Sequence, residues 1–373
     1  MENKQDRERL LSALSELPYG ELCAFAERYL HEHRAERRGF SGPLQDARVY
    51  ALPEDAARRL KRFKDDLDPH AVRWADAVRA MPTGYTAVPE ADREFIEYCG
   101  RVWDREICGL EEVRRSVLLR AVEYARLGRM KPMLFVGEPG GGKTTVMRIF
   151  AQMLGLPIRF ISAPRASVGR GLSGEPSSIV ESGPGEIAAG MIAAKTGNPV
   201  FGIDEIDKVT CDFRNRGFDA EALSLTDESA CRFTDNFLGF SVDASHAPVV
   251  FAANELEGIS DPLVDRCEVI RFPRLTPAQI REVLVRHTIP ETIKKYGCAG
   301  MVRVADDFAD ALVGELSGRG ITSVRPYQSV VGELVCDGYL RAVENGAVAV
   351  TADQIPGALA SAEFVRSGRK VGF

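Results

Sequence analysis

No window of this 373-residue chain approaches the ~18 to 20 uninterrupted apolar residues that a membrane span requires. The longest apolar stretches, near residues 132–136 and 248–253, have the length of buried strands, so no membrane contact is expected. A basic excess is missing as well. Against 48 lysines and arginines stand 54 aspartates and glutamates, a formal net charge of −6. Affinity drawn from neutralising phosphates is therefore not expected, and nucleic acid is not a favoured partner. Eight cysteines are scattered singly with no Cys-x-x-Cys pair to hold zinc or act as a redox dithiol, which leaves buried free thiols as the expectation. The chain opens MENKQDRERL, charged and without the apolar run of a secretion signal, so the cytoplasm is the expected location. No internal repeat is evident, and the one stretch of low complexity is 162–185, rich in Ser, Gly, Pro and Ala.

What remains is ordinary globular composition, 45% hydrophobic and 27% charged, long enough for two or three domains. Residues 1–80 read as an all-α segment. Leu10, Leu11, Leu14 and Leu17, then Leu22, Phe25, Ala26, Tyr29 and Leu30, recur at helical spacing on either side of Pro18-Tyr19-Gly20. Residues 37–53 carry Gly39, Gly42, Pro43 and Pro53 and read as a linker, and 54–79 return to charged helix. The basic run from Arg58 to Lys64 is followed at once by Asp65, Asp66 and Asp68, the pattern of a solvated helix face rather than a nucleic-acid patch. A small adaptor that binds a partner stays open. Residues 81–90, with Pro82, Gly84 and Pro89, mark a boundary. From 91 to 274 the pattern alternates: a helix at 111–127, then strands at 133–136, 158–161, 200–203, 249–252 and 268–272 with helical segments between. Such alternation predicts an α/β domain with a parallel sheet covered on both faces. Beyond Pro273, helices at 277–287, 306–316 and 326–343 with one short strand near 347–351 predict a small α-helical domain, 275–373.

Gly137-Glu138-Pro139-Gly140-Gly141-Gly142-Lys143-Thr144 fits G-x-x-x-x-G-K-[ST] between an apolar strand and a helix starting near Lys143, the context this motif needs. The glycines let successive backbone N–H groups turn toward phosphates, and the helix N-terminus adds positive potential. Lys143 is placed to reach β and γ oxygens and Thr144 to offer a hydroxyl to Mg²⁺; Thr145 follows within the nucleotide-binding set. Sixty residues on, Val200-Phe201-Gly202-Ile203-Asp204-Glu205 is a mostly apolar strand ending in two carboxylates. Beside a phosphate loop, Asp204 is expected to hold Mg²⁺ and Glu205 to polarise the attacking water, which favours hydrolysis over nucleotide storage. No Asn-Lys-x-Asp guanine-reading motif occurs, so ATP is the expected nucleotide.

Together these segments resemble the ATPase module of Lon-type AAA+ proteins. Residues 105–113 (REICGLEEV), 198–208 (NPVFGIDEIDK), 233–238 (FTDNFL), 261–272 (DPLVDRCEVIRF) and 276–291 are similar, in order and spacing, to that family's entry motif, acidic strand, following stretch, arginine-finger segment and lid start. The resemblance implies a P-loop AAA+ parallel-sheet core with a C-terminal helical lid. It places Ile107 and Cys108 beside the adenine and Asn254 at the sensor 1 position, orienting the lytic water; alternatively Asn254 caps the strand-to-loop turn. It makes Arg266 the arginine finger completing a neighbouring subunit's site, unless it only pairs with Asp265 or Glu268 on the surface. Arg325, before Pro326 at a helix start, matches sensor 2.

Two departures stand out. Family members that thread polypeptide carry an aromatic and an aliphatic residue in the first pore loop, where this sequence has Ile179-Val180. Phe213 and Phe218 either line a second pore loop or pack locally. The family's Ser-Lys protease domain would also require a further domain of chain beyond Phe373, so peptide hydrolysis is not expected of these residues. The expected function is that of an ATP hydrolase working as a homo-oligomeric ring, a hexamer by resemblance, that remodels or unfolds protein substrates or partners. A separate protease or effector chain is an open partner. The alternative is an ATP-controlled assembly switch that threads nothing.

Overall fold

A computed structural model of the chain describes residues 48–62, 69–179, 181–209 and 216–360. The helical hairpin expected before residue 37, and Val180 and Phe213, lie outside the described residues.

The N-terminal part contains α1 (Glu54–Arg62) and α2 (Pro69–Ala80). On α2, Ala71, Trp74, Ala75 and Val78 form one buried stripe at i, i+3, i+4 and i+7. Trp74 is 1% exposed, donates its indole N–H to Leu238 O at 3.0 Å, and carries the Arg59 guanidinium 4.2 Å above its ring. The helix therefore packs on the sheet domain. Residues 81–90, whose composition marks a boundary, are likewise bonded to it. Asn198 Nδ2 donates to Thr86 O at 2.9 Å, Thr86 N donates to Asn198 Oδ1 at 2.7 Å, and Gly197 N donates to Gly84 O at 3.0 Å.

Next come α3 (Arg93–Glu106), capped by the Asp92 side chain on Phe95 N, and α4 (Glu111–Leu127), ended by Gly128 at φ +67°. The sheet is built of β1 (Met133–Val136), β2 (Ile158–Ser162), β3 (Val200–Asp204), β6 (Val249–Ala253) and β7 (Glu268–Arg271). Its order is β2-β3-β6-β1-β7 and every pair is parallel, with Met133 opposite Val250 and Glu268, and Phe201 opposite Val249. The period-two pleat sends Met133 and Phe135 to one face and Leu134 and Val136 to the other. The first face is covered by α3, α4 and α5 (Lys143–Leu154), the second by α2 and α7 (Glu186–Ala194). Between these run α6 (Ala163–Val168), α8 (Arg216–Ser224), an antiparallel hairpin β4 (Phe233–Asp235) and β5 (Phe240–Val242), and α9 (Asp261–Arg266). The hairpin is absent from the sequence pattern, because each strand has only three residues.

The C-terminal part is helical, as its pattern predicts. Its elements are α10 (Pro277–Val283), α11 (Ile289–Lys295), α12 (Phe308–Gly318) and α13 (Val324–Asn345). Two differences appear. The helix foreseen to stop at His287 continues through a π-helical turn, Leu284–Thr288, into α11. The strand near 347–351 is β9 (Val348–Val350), and it has a partner in β8 (Val302–Val304). Ile280, Leu284, Leu312 and Tyr327 join the apolar cluster of the first sheet face, so the core runs from the sheet into these helices. No helix among the described residues is long and apolar enough to cross a membrane. Cys99, Cys108, Cys267 and Cys298 are buried free thiols as expected, whereas Cys231 is exposed.

Candidate functional site

At the carboxyl end of β1 the chain must turn without side chains. Gly137 N donates to Ala253 O at 3.3 Å, and a Cβ there would stand 2.8 Å from Phe272 Cβ and 2.9 Å from Phe272 O. Gly140 and Gly142 lie at φ +82° and +93°, where glycine alone is unstrained. A Cβ on Gly140 would collide with Ser323 Oγ from the C-terminal domain. This loop feeds the N-terminus of α5, whose unpaired N–H groups and dipole face the turn.

Lys143, the first residue of α5, is 8% exposed. Its ammonium donates to Gly137 O, to Glu138 O at 3.1 Å and to Asn254 Oδ1 at 3.3 Å. Burial lowers its pKa, the Arg325 guanidinium acts in the same sense, and the carboxylates of Asp204 and Asp207 oppose both. Asp204 closes β3, and its Oδ1 accepts from Glu205 N at 2.8 Å. Glu205 sits at φ +60°, a left-handed conformation that costs a non-glycine residue about 1 to 3 kcal/mol and concentrates at functional sites. Strain is thus stored at the carboxyl end of β3, in the residue after Asp204.

These groups share one cleft of about 360 Å³, which brings together Ile107, Cys108, Pro139, Gly140, Gly141, Gly142, Lys143, Thr144, Thr145, Asp204, Glu205, Asn254 and Arg325. Gly137 and Glu138 lie outside its wall. Gly137 is packed against Phe272, while Glu138 turns outward to Arg274 at 2.5 Å and accepts from Thr322 Oγ1 at 3.1 Å. With Ser323 Oγ donating to Pro139 O at 2.7 Å, those contacts close the C-terminal domain onto the loop. Arg266 is also outside the cleft. Its half-exposed side chain donates to Pro262 O at 3.0 Å and stands 4.0 Å from Asp227, not beside Asp265 or Glu268. Phe218 is buried in the core, which settles it as local packing.

Five aliphatic residues, Ile107, Leu110, Leu275, Val283 and Val324, line the same cleft. Gly109 and Leu110 take left-handed conformations at φ +72° and +63° and turn the chain sharply there. Burial raises the thiol pKa of Cys108, the Glu282 carboxylate adds to that, and the Arg286 guanidinium opposes it. Sequence reasoning missed Glu106, Leu110 and the contributions from the C-terminal domain, Leu275, Val283, His287, Thr288, Glu291, Val324 and Gln328. No local pattern marks them, because only domain packing brings them to the cleft.

The donor set fits a nucleoside triphosphate with its metal. A buried ammonium and a helix N-terminus stand at the phosphate end, Thr144 and Asp204 offer oxygens to a hard cation, and the aliphatic slot suits a base.

Comparison with known proteins agrees with the fold. Residues 133–275 match the model of the ATPase family associated with various cellular activities (AAA). The chain is similar to the Lon protease of Syntrophus aciditrophicus, 34% identical over 253 residues, 64% of this chain and 31% of that protein. It is similar to the Lon protease of Halothermothrix orenii, 34% identical over 257 residues, 66% of this chain and 32% of that one. The mitochondrial Lon protease homolog of Candida albicans is 29% identical over 315 residues, 78% of this chain and 28% of that protein. The chain thus spans about a third of the length of these relatives.

Proposed function

From an AAA ATPase domain related to that of Lon proteases, we propose that the chain hydrolyses ATP as a homo-oligomeric ring, a hexamer, and uses the energy to remodel or unfold protein substrates. The observation that carries this is the convergence of Lys143, Asp204, Glu205, Asn254 and Arg325 on one cleft from four separate segments of chain. Thr144 and Asp204 would hold Mg²⁺, which supplies neutralisation of the phosphate oxygens. Lys143 binds the β and γ phosphates, its ammonium passing from backbone carbonyls to them. Glu205 accepts the proton of the attacking water, Asn254 orients that water, and Arg325 brings positive charge from the lid.

Arg266 supports action in trans. It is half-exposed and does not line the cleft of its own chain, which supports service to a neighbouring subunit's site rather than its own. Such fingers contribute ~10³ to 10⁵ in rate. We assign residues 91–274 to the ATPase domain, 275–373 to the lid and 1–80 to recruitment of substrate or partner, in the cytoplasm, with 81–90 joining them. Only the ATP-driven step is assigned to these residues; a separate protease or effector chain is the natural recipient of unfolded substrate.

A second reading rests on Ile179, which is 46% exposed but aliphatic where a threading loop carries an aromatic. An assembly switch needs no grip on a chain. Steady-state ATP hydrolysis across protein concentration, with and without a permanently unfolded protein, separates the two. Specific activity rising with concentration, and rising further with unfolded chain, supports the remodeller. Indifference to unfolded chain favours the switch, and no hydrolysis at any concentration overturns both.

A further inference from the structure

Away from the nucleotide cleft, a second cavity of about 550 Å³ opens where α2 meets the loop between α6 and α7 and the turn of the β4–β5 hairpin. Trp74, bonded to Leu238 O, fixes α2 over that turn. The loop is closed at its base: Glu186 N donates to Gly171 O at 3.2 Å, Ile187 N to Leu172 O at 3.3 Å and Gly185 N to Asp235 Oδ2 at 2.8 Å. Its returning segment supplies one wall, and three features there are those of a built site. Glu181 is held at φ +64°, a left-handed conformation that is costly for a non-glycine residue and concentrates at ligand clamps. Ser182 is 2% exposed, yet its Oγ has no hydrogen-bond partner among the described residues. Gly183 makes room for the Arg170 guanidinium, since a Cβ there would stand 2.5 Å from Nη1 and 2.8 Å from Cζ.

The charges around the cavity indicate which ligand. Arg170 donates from Nη2 to Glu181 O at 3.1 Å, which holds its guanidinium on the loop, and Arg73, on α2, meets the His70 ring nitrogen Nδ1 at 3.3 Å. Neither arginine forms an ion pair among the described residues. With five N–H donors each, both keep most of their hydrogen-bonding capacity for a ligand. Asp76 and Glu181 stand in the same wall, two carboxylates against two guanidiniums. A doubly charged phosphoryl group would therefore meet repulsion as well as attraction. The end of a polypeptide matches both signs: one carboxylate for the arginines, in the geometry that guanidinium groups bind best, and peptide N–H donors beside it for the acids. Phe237 and Pro184 add apolar surface for its last side chain.

We propose that this cavity captures the free C-terminus of another polypeptide, with Arg73 and Arg170 on its terminal carboxylate. Ser182 Oγ gains in that carboxylate the partner it lacks, and Glu181 accepts from the peptide N–H groups that precede it. An amidated end removes the charge and leaves the two guanidiniums with a weaker acceptor. The site joins α2, within the part assigned to recruitment, to the ATPase domain, and it serves a remodelled substrate or a switch partner equally.

The test is fluorescence anisotropy on the full chain without nucleotide, using three labelled heptapeptides of glycine, serine and alanine. One ends in leucine with a free carboxylate, the second is the same peptide amidated, and the third is amidated with aspartate as its last residue. The free-acid peptide is expected to bind ~10-fold or more tighter than either amide. Arg73→Gln, at an exposed helix position, and Arg170→Gln should each shrink that preference to about 2-fold by weakening the free acid alone, and Gly183→Ala should act like Arg170→Gln because its Cβ displaces the guanidinium. Equal binding of the free acid and its amide overturns the assignment without recourse to any variant. So does an aspartate amide bound as tightly as the free acid, which would make the site a reader of acidic side chains, and so does no binding up to about 1 mM. The wild-type preference persisting in both arginine variants overturns it as well. The ATP-hydrolase reading stands in each of these cases, because no nucleotide enters the measurement.

Discussion

The Lys143 ammonium donates to the Asn254 side-chain oxygen across 3.3 Å, joining the first turn of α5 to the end of β6. The two residues are distant in sequence, and β6 lies beside β1 in the sheet, so the pairing reports the strand order directly. The side-chain amide of Asn254 thus meets the Lys143 ammonium inside the cleft. A shared site made from such contacts has consequences that can be measured.

Arg266→Ala should retain nucleotide binding but lose hydrolysis by ~10³-fold or more. Lys143→Ala should lose nucleotide affinity. Mixing the two inactive proteins should recover part of the activity, because each supplies the half-site the other lacks. Absence of recovery in a mixed-subunit assay counts against action in trans.

Glu205→Gln should bind ATP, turn it over ~10²-fold or more slowly, and trap assembled rings. Glu205→Gly should be equally slow and yet melt at higher temperature, because glycine relieves the strain at φ +60°, on the order of 1 kcal/mol. Hydrolysis at the wild-type rate by either variant shows that another group handles the water.

Trp74→Ala should cost roughly 3 to 5 kcal/mol, since the indole is buried against the sheet domain and hydrogen-bonded to Leu238. Thermal unfolding should stay a single transition at a lower Tm. An unchanged Tm would mean that α2 is not part of the cooperative unit.

Ile179→Ala, at an exposed position, should shift stability by no more than ~0.5 kcal/mol. In the remodeller it should abolish stimulation of hydrolysis by unfolded protein while leaving the basal rate. Stimulation that survives the substitution points to the switch.

Asp235 is fully buried, accepting from Gly185 N and Leu238 N at 2.8 Å each. Burial nevertheless raises its pKa from 3.8 to about 6, with the Glu221 carboxylate adding to the rise. A raised carboxyl pKa means that the folded state holds the proton more tightly than the unfolded chain. Its contribution is therefore greatest at low pH and is lost as pH climbs from about 4 to about 6. The stability of the wild type relative to Asp235→Asn should fall across that window, by on the order of 3 kcal/mol, and be flat above it. Denaturant titrations at several pH values read this directly, and a difference independent of pH refutes it.

Local chemistry settled much of this protein in advance. The apolar run of β1, the span of α4 from Glu111 to Leu127 and the start of α5 at Lys143 follow from periodicity, glycines and the G-x-x-x-x-G-K-T spacing, all of which act over a few residues. The parallel sheet followed from alternation, and the phosphate loop, Asp204 and Glu205 were legible because each directly follows or ends its own apolar strand in the sequence. What depended on distant faces finding each other was not legible. Nothing near Trp74 says that it will lie under Leu238, nothing near Val302 that it will pair with Val348, and nothing near Thr288 that a π-helical turn will bring it into the cleft with Ile107. A chain fixes its local conformations through contacts three or four residues apart, whereas burial and pairing across domains are decided only when whole faces pack together.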